Sequence, residues 1–274
     1  KEGSTNKTAR KNDGIATSGV ALLAMTCSFG DASDCTGANI MEHKRLTLFA
    51  GHYGSGKTNI AVNYALLLAS EGKKVCIADL DIVNPYFRTK DSAAVLESAG
   101  VDLISPQYAN SNVDLPALPA ASYRLVQDRS SYGIMDIGGD DRGAYALGRF
   151  VPSILEENDY RMIFVANASR PLTRTAEDAM EVMGEIEAAC GLKFTDLINN
   201  TNLGSETTAE TVLAAEGYMQ ELSRLSGLPI FATTATEEVA AELNGRIENV
   251  LPMKLQEKYF DLPSQKPGNR PLWG

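Results

Sequence analysis

The chain has 274 residues, of which 44% are hydrophobic, 22% charged and 7% aromatic, and 25 Lys and Arg set against 35 Asp and Glu leave a formal net charge of -10. This is the make-up of an ordinary globular protein long enough to bury its own core without a disulfide or metal staple, and it holds no run of about 18 apolar residues to cross a membrane. The acidic balance excludes a general nucleic-acid or anionic-membrane binder, because a surface that tracks phosphates needs net positive charge.

Residues 1–40 are rich in Gly, Ser, Thr, Asn and Asp and carry no helical or strand period. Lys1, Lys7, Arg10 and Lys11 cancel Glu2, Asp13, Asp31 and Asp34, so the whole acidic excess lies in 41–274. Residues 1–44 therefore read as a disordered extension, or as a non-native leader translated ahead of a true start at Met41. The apolar stretch 19–25 is too short and weak for a secretory signal. Cys27, Cys35, Cys76 and Cys190 are scattered and form no C-x-x-C pair. That pattern argues against structural zinc or a redox dithiol and fits a reduced, cytoplasmic setting.

From Arg45 onward strands and helices alternate. Residues 46–50 form a short apolar run ending in a glycine-rich turn. Residues 58–70 predict a helix, with Ile60, Ala61, Tyr64, Ala65, Leu67 and Leu68 on one stripe. A strand over 75–78, a short helix over 92–98 and a brief strand over 103–104 follow. Residues 118–128 predict a helix, 132–136 a strand and 144–156 a single helix. Residues 161–166 lack polar alternation, as a parallel strand buried on both faces requires. Next come a helix over 173–189, a strand over 194–198 and one helix over 208–225. A strand over 229–232 and a helix from 237 to 243 complete the body. Residues 261–274 read as an extended Pro-rich tail. This order predicts an α/β protein: a three-layer P-loop NTPase fold with a mostly parallel sheet and helices on both faces. It occupies one nucleotide-binding domain over 45–260.

The fold is named for a motif. Gly51-His52-Tyr53-Gly54-Ser55-Gly56-Lys57-Thr58 satisfies G-x-x-x-x-G-K-[ST] in full, between an apolar strand and an amphipathic helix. Glycines let successive backbone N–H groups turn into one concavity that binds phosphate oxygens. The helix N-terminus adds its positive end. Lys57 brings a cation to the β- and γ-phosphates, and the Thr58 hydroxyl takes one Mg²⁺ position. The nucleotide-binding set is Gly51, Gly54, Ser55, Gly56, Lys57, Thr58 and Asn59.

Such a loop needs a carboxylate at the end of a neighbouring strand to hold the metal. Asp136, after 132–135 and before Ile137-Gly138-Gly139, is well placed. Asp79-Leu80-Asp81-Ile82-Val83-Asn84-Pro85 also follows a buried strand. Its carboxylates fall at the carboxyl edge of the sheet, where open α/β sheets bind ligands, and an Asp there can orient the attacking water. An Asx turn into the proline is the plainer alternative.

Together these motifs resemble the MinD/ParA/nitrogenase-iron-protein class of P-loop ATPases, over roughly residues 45–250. The stretches 51–58 and 79–88 are similar to a poorly characterised bacterial branch of that class. The resemblance implies that Asp81 activates water in a first switch, and that Asp136 sits beside Mg²⁺ and begins a second. It also implies that Asn199, with its neighbour Asn200, lies where the class contacts adenine; a simple turn at a strand end is the alternative. Many members carry K-G-G-x-G-K-[ST], whose first lysine reaches a partner's nucleotide across a dimer. Here His52 and Tyr53 hold the K-G positions, so the resemblance implies a homodimer without supplying that lysine. Residues 137–146 contain no cysteine for an iron–sulfur cluster. Residues 265–274 cannot form the basic amphipathic helix of membrane-bound members, and the acidic body does not suit DNA-partition ATPases.

The expectation is a soluble, Mg²⁺-dependent ATP-binding and ATP-hydrolysing switch, with Lys57, Asp81 and Asp136 as catalytic residues and Thr58 and Asp136 as metal ligands. Its partners would be ATP and an unidentified protein client, without nucleic acid or membrane. Arg88, Arg142 and Arg170 are candidates for charge stabilisation or partner contact. The alternatives are an amide-forming biosynthetic ligase related to dethiobiotin or cobyrinate enzymes, and a non-hydrolysing nucleotide sensor.

Overall fold

Strand β1 (Leu46–Ala50) is buried at every position, and everything else is arranged around it. The computed structural model describes residues 42–80, 92–104, 120–139 and 141–255. Residues 1–41 of the leader, the stretch 81–91 that carries Asp81 and Arg88, and the tail over 261–274 lie outside the described residues.

Eight parallel strands form one sheet in the order β3-β2-β4-β1-β5-β6-β7-β8. The others are β2 (Val75–Leu80), β3 (Asp102–Ile104), β4 (Tyr132–Ile137), β5 (Tyr160–Ala166), β6 (Asp196–Asn199), β7 (Ile230–Thr236) and β8 (Val250–Met253). From β1 the chain first builds β2, β3 and β4 on one side and then β5 to β8 on the other. The carboxyl end of β1 is thus the switch point where open parallel sheets leave a crevice.

Side-chain alternation along each strand divides the core between the two faces. One face carries Leu46, Leu48, Ala78, Met135, Ile137 and Phe164. Against it pack α4 (Asp141–Gly148), α5 (Val151–Glu157), α6 (Ala176–Cys190) and α8 (Glu216–Ser226). The other carries Phe49, Ile77, Ile134, Val165 and Ile198 and packs on α1 (Lys57–Ser70) and α2 (Ala93–Ser98). A smaller cluster joins α7 (Ala209–Ala214), α9 (Glu237–Leu243) and the β7 residue Ala235. Helices on both faces of a parallel sheet are the three-layer arrangement expected from the sequence. Among the described residues no helix is long and apolar enough to cross a membrane.

Several boundaries differ from expectation, each for a local reason. Residues 144–156 are two helices, because Pro152 in the first turn of α5 has no N–H to continue the ladder from α4. Residues 208–225 likewise divide at Ala215, which caps α7 and precedes α8. The helix expected from 173 starts at Ala176, where Thr175 and Asp178 close a reciprocal capping box. Of 118–128, the described part is a 3-10 turn (Ala120–Tyr123) and a single helical turn, α3 (Arg124–Gln127). Strand β8, which contains Pro252, was not expected. It is an edge strand, where a missing N–H costs no inter-strand bond on the open side.

Candidate functional site

The loop between β1 and α1 is curled by its glycines: φ is 76° at Gly54 and 94° at Gly56, which caps α1 in the left-handed region. Only glycine enters that region at no steric cost, and such turns aim successive N–H groups into one concavity. Ser55 N donates to His52 O at 3.2 Å, closing the loop on itself. The buried Ser55 Oγ has no partner among the described residues. Lys57 Nζ lies back over the loop, donating to His52 O at 3.2 Å. The His52 ring is turned onto its own loop, with Nδ1 3.0 Å from Tyr53 O. Asn59, the third residue of α1, points its amide at Met253 Sδ on β8, 4.0 Å away.

Asp136 and Asp79 are neighbours in the sheet: β4 pairs with β2 so that Asp79 stands beside Asp136, and Phe49 of β1 beside Asp136 on its other side. By alternation both carboxylates extend the face carrying Phe49, Ile77 and Ile134, on which α1 packs. They therefore lie under the N-terminal end of α1, where Lys57 and Thr58 are themselves buried. Asp136 is 0% exposed and Asp79 2%. The sequence singled out Asp136 for this place. It named Asp79 only as part of the Asp79-Leu80-Asp81 cluster, and the register that pairs it with Asp136 has no local signal.

Gly139, just after β4, presses on the phosphate loop from the same side. A Cβ there would stand 2.6 Å from Tyr53 N and 3.0 Å from Gly51 O. The Asp-x-Gly-Gly run thus supplies both a carboxylate and the small residue that lets the loop lie close.

On the other flank, the residues after β6 hold the loop in place. Asn200 Nδ2 donates to Ser55 O at 2.6 Å, and Asn200 Oδ1 accepts from the Thr234 hydroxyl at 2.6 Å. A Cβ on Gly56 would overlap that same Asn200 amide. Asn199 Oδ1 accepts from Thr201 N at 3.0 Å, an Asx turn, and Thr201 Oγ1 accepts from Ala168 N after β5. The Asn200 amide therefore braces the phosphate loop, and Asn199 shapes the turn. Thr234, from β7, had no sequence signal.

Of the three arginines, Arg88 and the side chain of Arg142 lie outside the described residues. Arg170, in the loop after β5, stands beside Gly54. The arrangement brings together an anion-binding loop, a buried lysine, a hydroxyl and two carboxylates at one sheet edge, which is the chemistry that holds a phosphate chain with a divalent cation.

No protein-family model and no curated protein matches the chain. It is similar to solved structures at low identity. The cell division protein FtsY of Thermotoga maritima is 18% identical over 72% of this chain and 63% of that one, with a TM-score of 0.49. FtsY of Mycoplasma mycoides is 16% identical over 73% and 63%, with a TM-score of 0.49. The signal recognition particle 54 kDa protein of Aeropyrum pernix, in complex with GDP, is 19% identical over 69% and 40%, with a TM-score of 0.44. The chain spans less than two thirds of the length of each of these structures. The P-loop NTPase fold itself stands on the parallel sheet and on the loop at its switch point.

Proposed function

We propose that this chain is a Mg²⁺-dependent ATPase that works as a switch of the MinD/ParA class on a protein client in the cytoplasm, with 45–260 as its one nucleotide-binding domain. The observation that carries the reading is the burial of Asp136 and Asp79 side by side under the end of α1 that bears Lys57 and Thr58. A purely structural glycine turn has no need of two buried carboxylates in register, which are costly unless compensated.

The residues fit the groups this reading requires. The curled loop with its unpartnered Ser55 hydroxyl suits phosphate oxygens. Thr58 and Asp136 would hold Mg²⁺, which offsets phosphate charge when bound. Lys57 would hold the terminal phosphates, and the loop N–H groups would orient them for in-line attack. Asp81 would orient the attacking water. ATP is favoured over GTP because residues 199–202 read Asn-Asn-Thr-Asn, without the [NT]-K-x-D pattern of GTP readers.

The test is binding and turnover of ATP and GTP by the full chain with Mg²⁺. Lys57→Ala should abolish binding, and Asp81→Ala should abolish hydrolysis while leaving binding nearly intact. Unchanged ATP binding by Lys57→Ala would sink the reading, and faster turnover of GTP would reverse the choice of base.

A further inference from the structure

Arg170 precedes a 3-10 turn (Pro171–Thr173) in the loop between β5 and α6. Its root is firmly held. Arg170 N donates to Asn167 O at 3.1 Å, Thr173 N donates to Arg170 O at 3.2 Å, and the Thr173 hydroxyl donates to Asn167 O at 2.9 Å. Asn167 Oδ1 accepts from Ser169 N at 3.0 Å, and Ala168 N donates to Thr201 Oγ1 at 3.1 Å. The residue as a whole is nevertheless exposed. From this anchored base the guanidinium reaches the tip of the phosphate loop: a Cβ on Gly54 would lie 3.8 Å from Arg170 Nε and 3.9 Å from Cζ. No ion pair joins it to a carboxylate among the described residues.

Two physical points give this placement meaning. In a chain of net charge -10, a cation without a carboxylate partner beside an anion-binding loop raises the local attraction for phosphate. The second point is the charge balance. A fully ionised triphosphate carries roughly four negative charges, and a divalent cation with Lys57 offsets about three of them. Lys57 Nζ lies against His52 O, so the ammonium that serves the β- and γ-phosphates sits on the 52–54 side of the loop. Arg170 stands over that same side. A guanidinium there can fork two hydrogen bonds onto phosphate oxygens, which an ammonium cannot reproduce.

We propose that Arg170 is a second cationic contact for the bound triphosphate, acting from the same chain on its terminal phosphates across Gly54. The proposal rests on the nucleotide reading above, and the experiment separates the two. ATP, ADP, GTP and GDP, each with Mg²⁺, are titrated calorimetrically into the full chain and into its Arg170→Ala, Arg170→Lys and Lys57→Ala variants. Arg170→Ala should weaken triphosphate binding about tenfold and diphosphate binding by less than about twofold, with Arg170→Lys recovering part of the loss. Equal losses for both nucleotides, or no loss, overturn the role of Arg170 while leaving the nucleotide site standing. A wild-type chain that binds none of the four, or a Lys57→Ala variant that binds as well as wild type, overturns the nucleotide reading and this proposal with it.

Discussion

The side-chain amide of Asn200, one residue past the end of β6, donates a 2.6 Å hydrogen bond to the main-chain carbonyl of Ser55 inside the phosphate loop. The other end of the same amide accepts from Thr234 on β7 at 2.6 Å. One buried side chain thus ties the loop after β1 to two strands that follow it by more than 140 residues. Glycine is required at position 56 partly for this reason, since any Cβ there would strike the Asn200 amide.

Asn200→Ala takes the amide donor from the buried Ser55 carbonyl, while the Thr234 hydroxyl keeps the Asn199 carbonyl as an acceptor at 3.1 Å. It should cost about 1–3 kcal/mol of stability and weaken nucleotide binding by loosening the loop. Asn200→Asp presents an acceptor to the Ser55 carbonyl and should be worse on both counts. Thermal unfolding with and without MgATP measures both effects. A variant with wild-type melting and wild-type affinity would show that the bond does not hold the loop.

Gly139→Ala places a methyl group 2.6 Å from the Tyr53 nitrogen and 3.0 Å from the Gly51 carbonyl. Backbone cannot rotate away as a side chain can, so the phosphate loop must shift, at about 1–3 kcal/mol. ATP affinity should fall at least about tenfold, because groups that hold phosphate tolerate displacements of well under an ångström. Gly184→Ala is the control. Its Cβ meets nothing within 4 Å, and in the interior of α6 it should stabilise the fold by about 0.5–1 kcal/mol. Titration calorimetry and chemical denaturation on both variants decide the matter.

The buried Arg45 and the partly buried Glu157 form an ion pair at the amino end of the sheet, far in the chain fold from the phosphate loop at its carboxyl end. Arg45 Nη2 donates to Glu157 Oε2 at 2.5 Å, and Nη1 donates to the carbonyls of Leu125 and Ser131 at 2.9 and 3.2 Å. Glu157→Ala strands the guanidinium charge and should destabilise by about 3–5 kcal/mol. Nucleotide affinity of the folded variant should be unchanged. Urea denaturation and ATP titration at a temperature where the variant is folded test both halves.

Burial pushes the Tyr64 phenol up from 10.0 to about 12. Its hydroxyl meets His43 Nδ1 at 2.8 Å, and its ring packs edge-on against Phe49 and Phe231. Because the folded value is the higher one, the unfolded chain ionises first as pH rises. Tyr64 therefore contributes stability in full below pH 10 and loses it between pH 10 and about 12. Tyr64→Phe should remove that part of the alkaline decline, at the cost of the hydrogen bond to His43. Denaturation midpoints across this window should fall more steeply for wild type than for the variant.

Much of the fold was legible because its signals are local. The apolar runs of β1, β4 and β5 show no polar alternation, which only strands covered on both faces tolerate. The phosphate loop was legible because its glycine spacing is a backbone requirement written in consecutive residues. Helix breaks were less visible. The break at Pro152 and the capping box at Thr175 are masked by an apolar stripe that continues across them. Strand β8, which was not expected, contains Pro252, whose tolerance depends on its place at the sheet edge.

By itself the sequence determined that a phosphate-binding loop joins a buried strand to an apolar helix in an alternating α/β chain, since glycine freedom and hydrophobic period act over a few residues. Only the tertiary structure decided what surrounds that loop. The order β2-β4-β1-β5-β6-β7 sets Asp79 beside Asp136, turns Asn200 onto Ser55 and brings Arg170 over Gly54. These contacts join residues far apart in the chain. Their partners follow from strand order and register, and those follow from how the whole core packs.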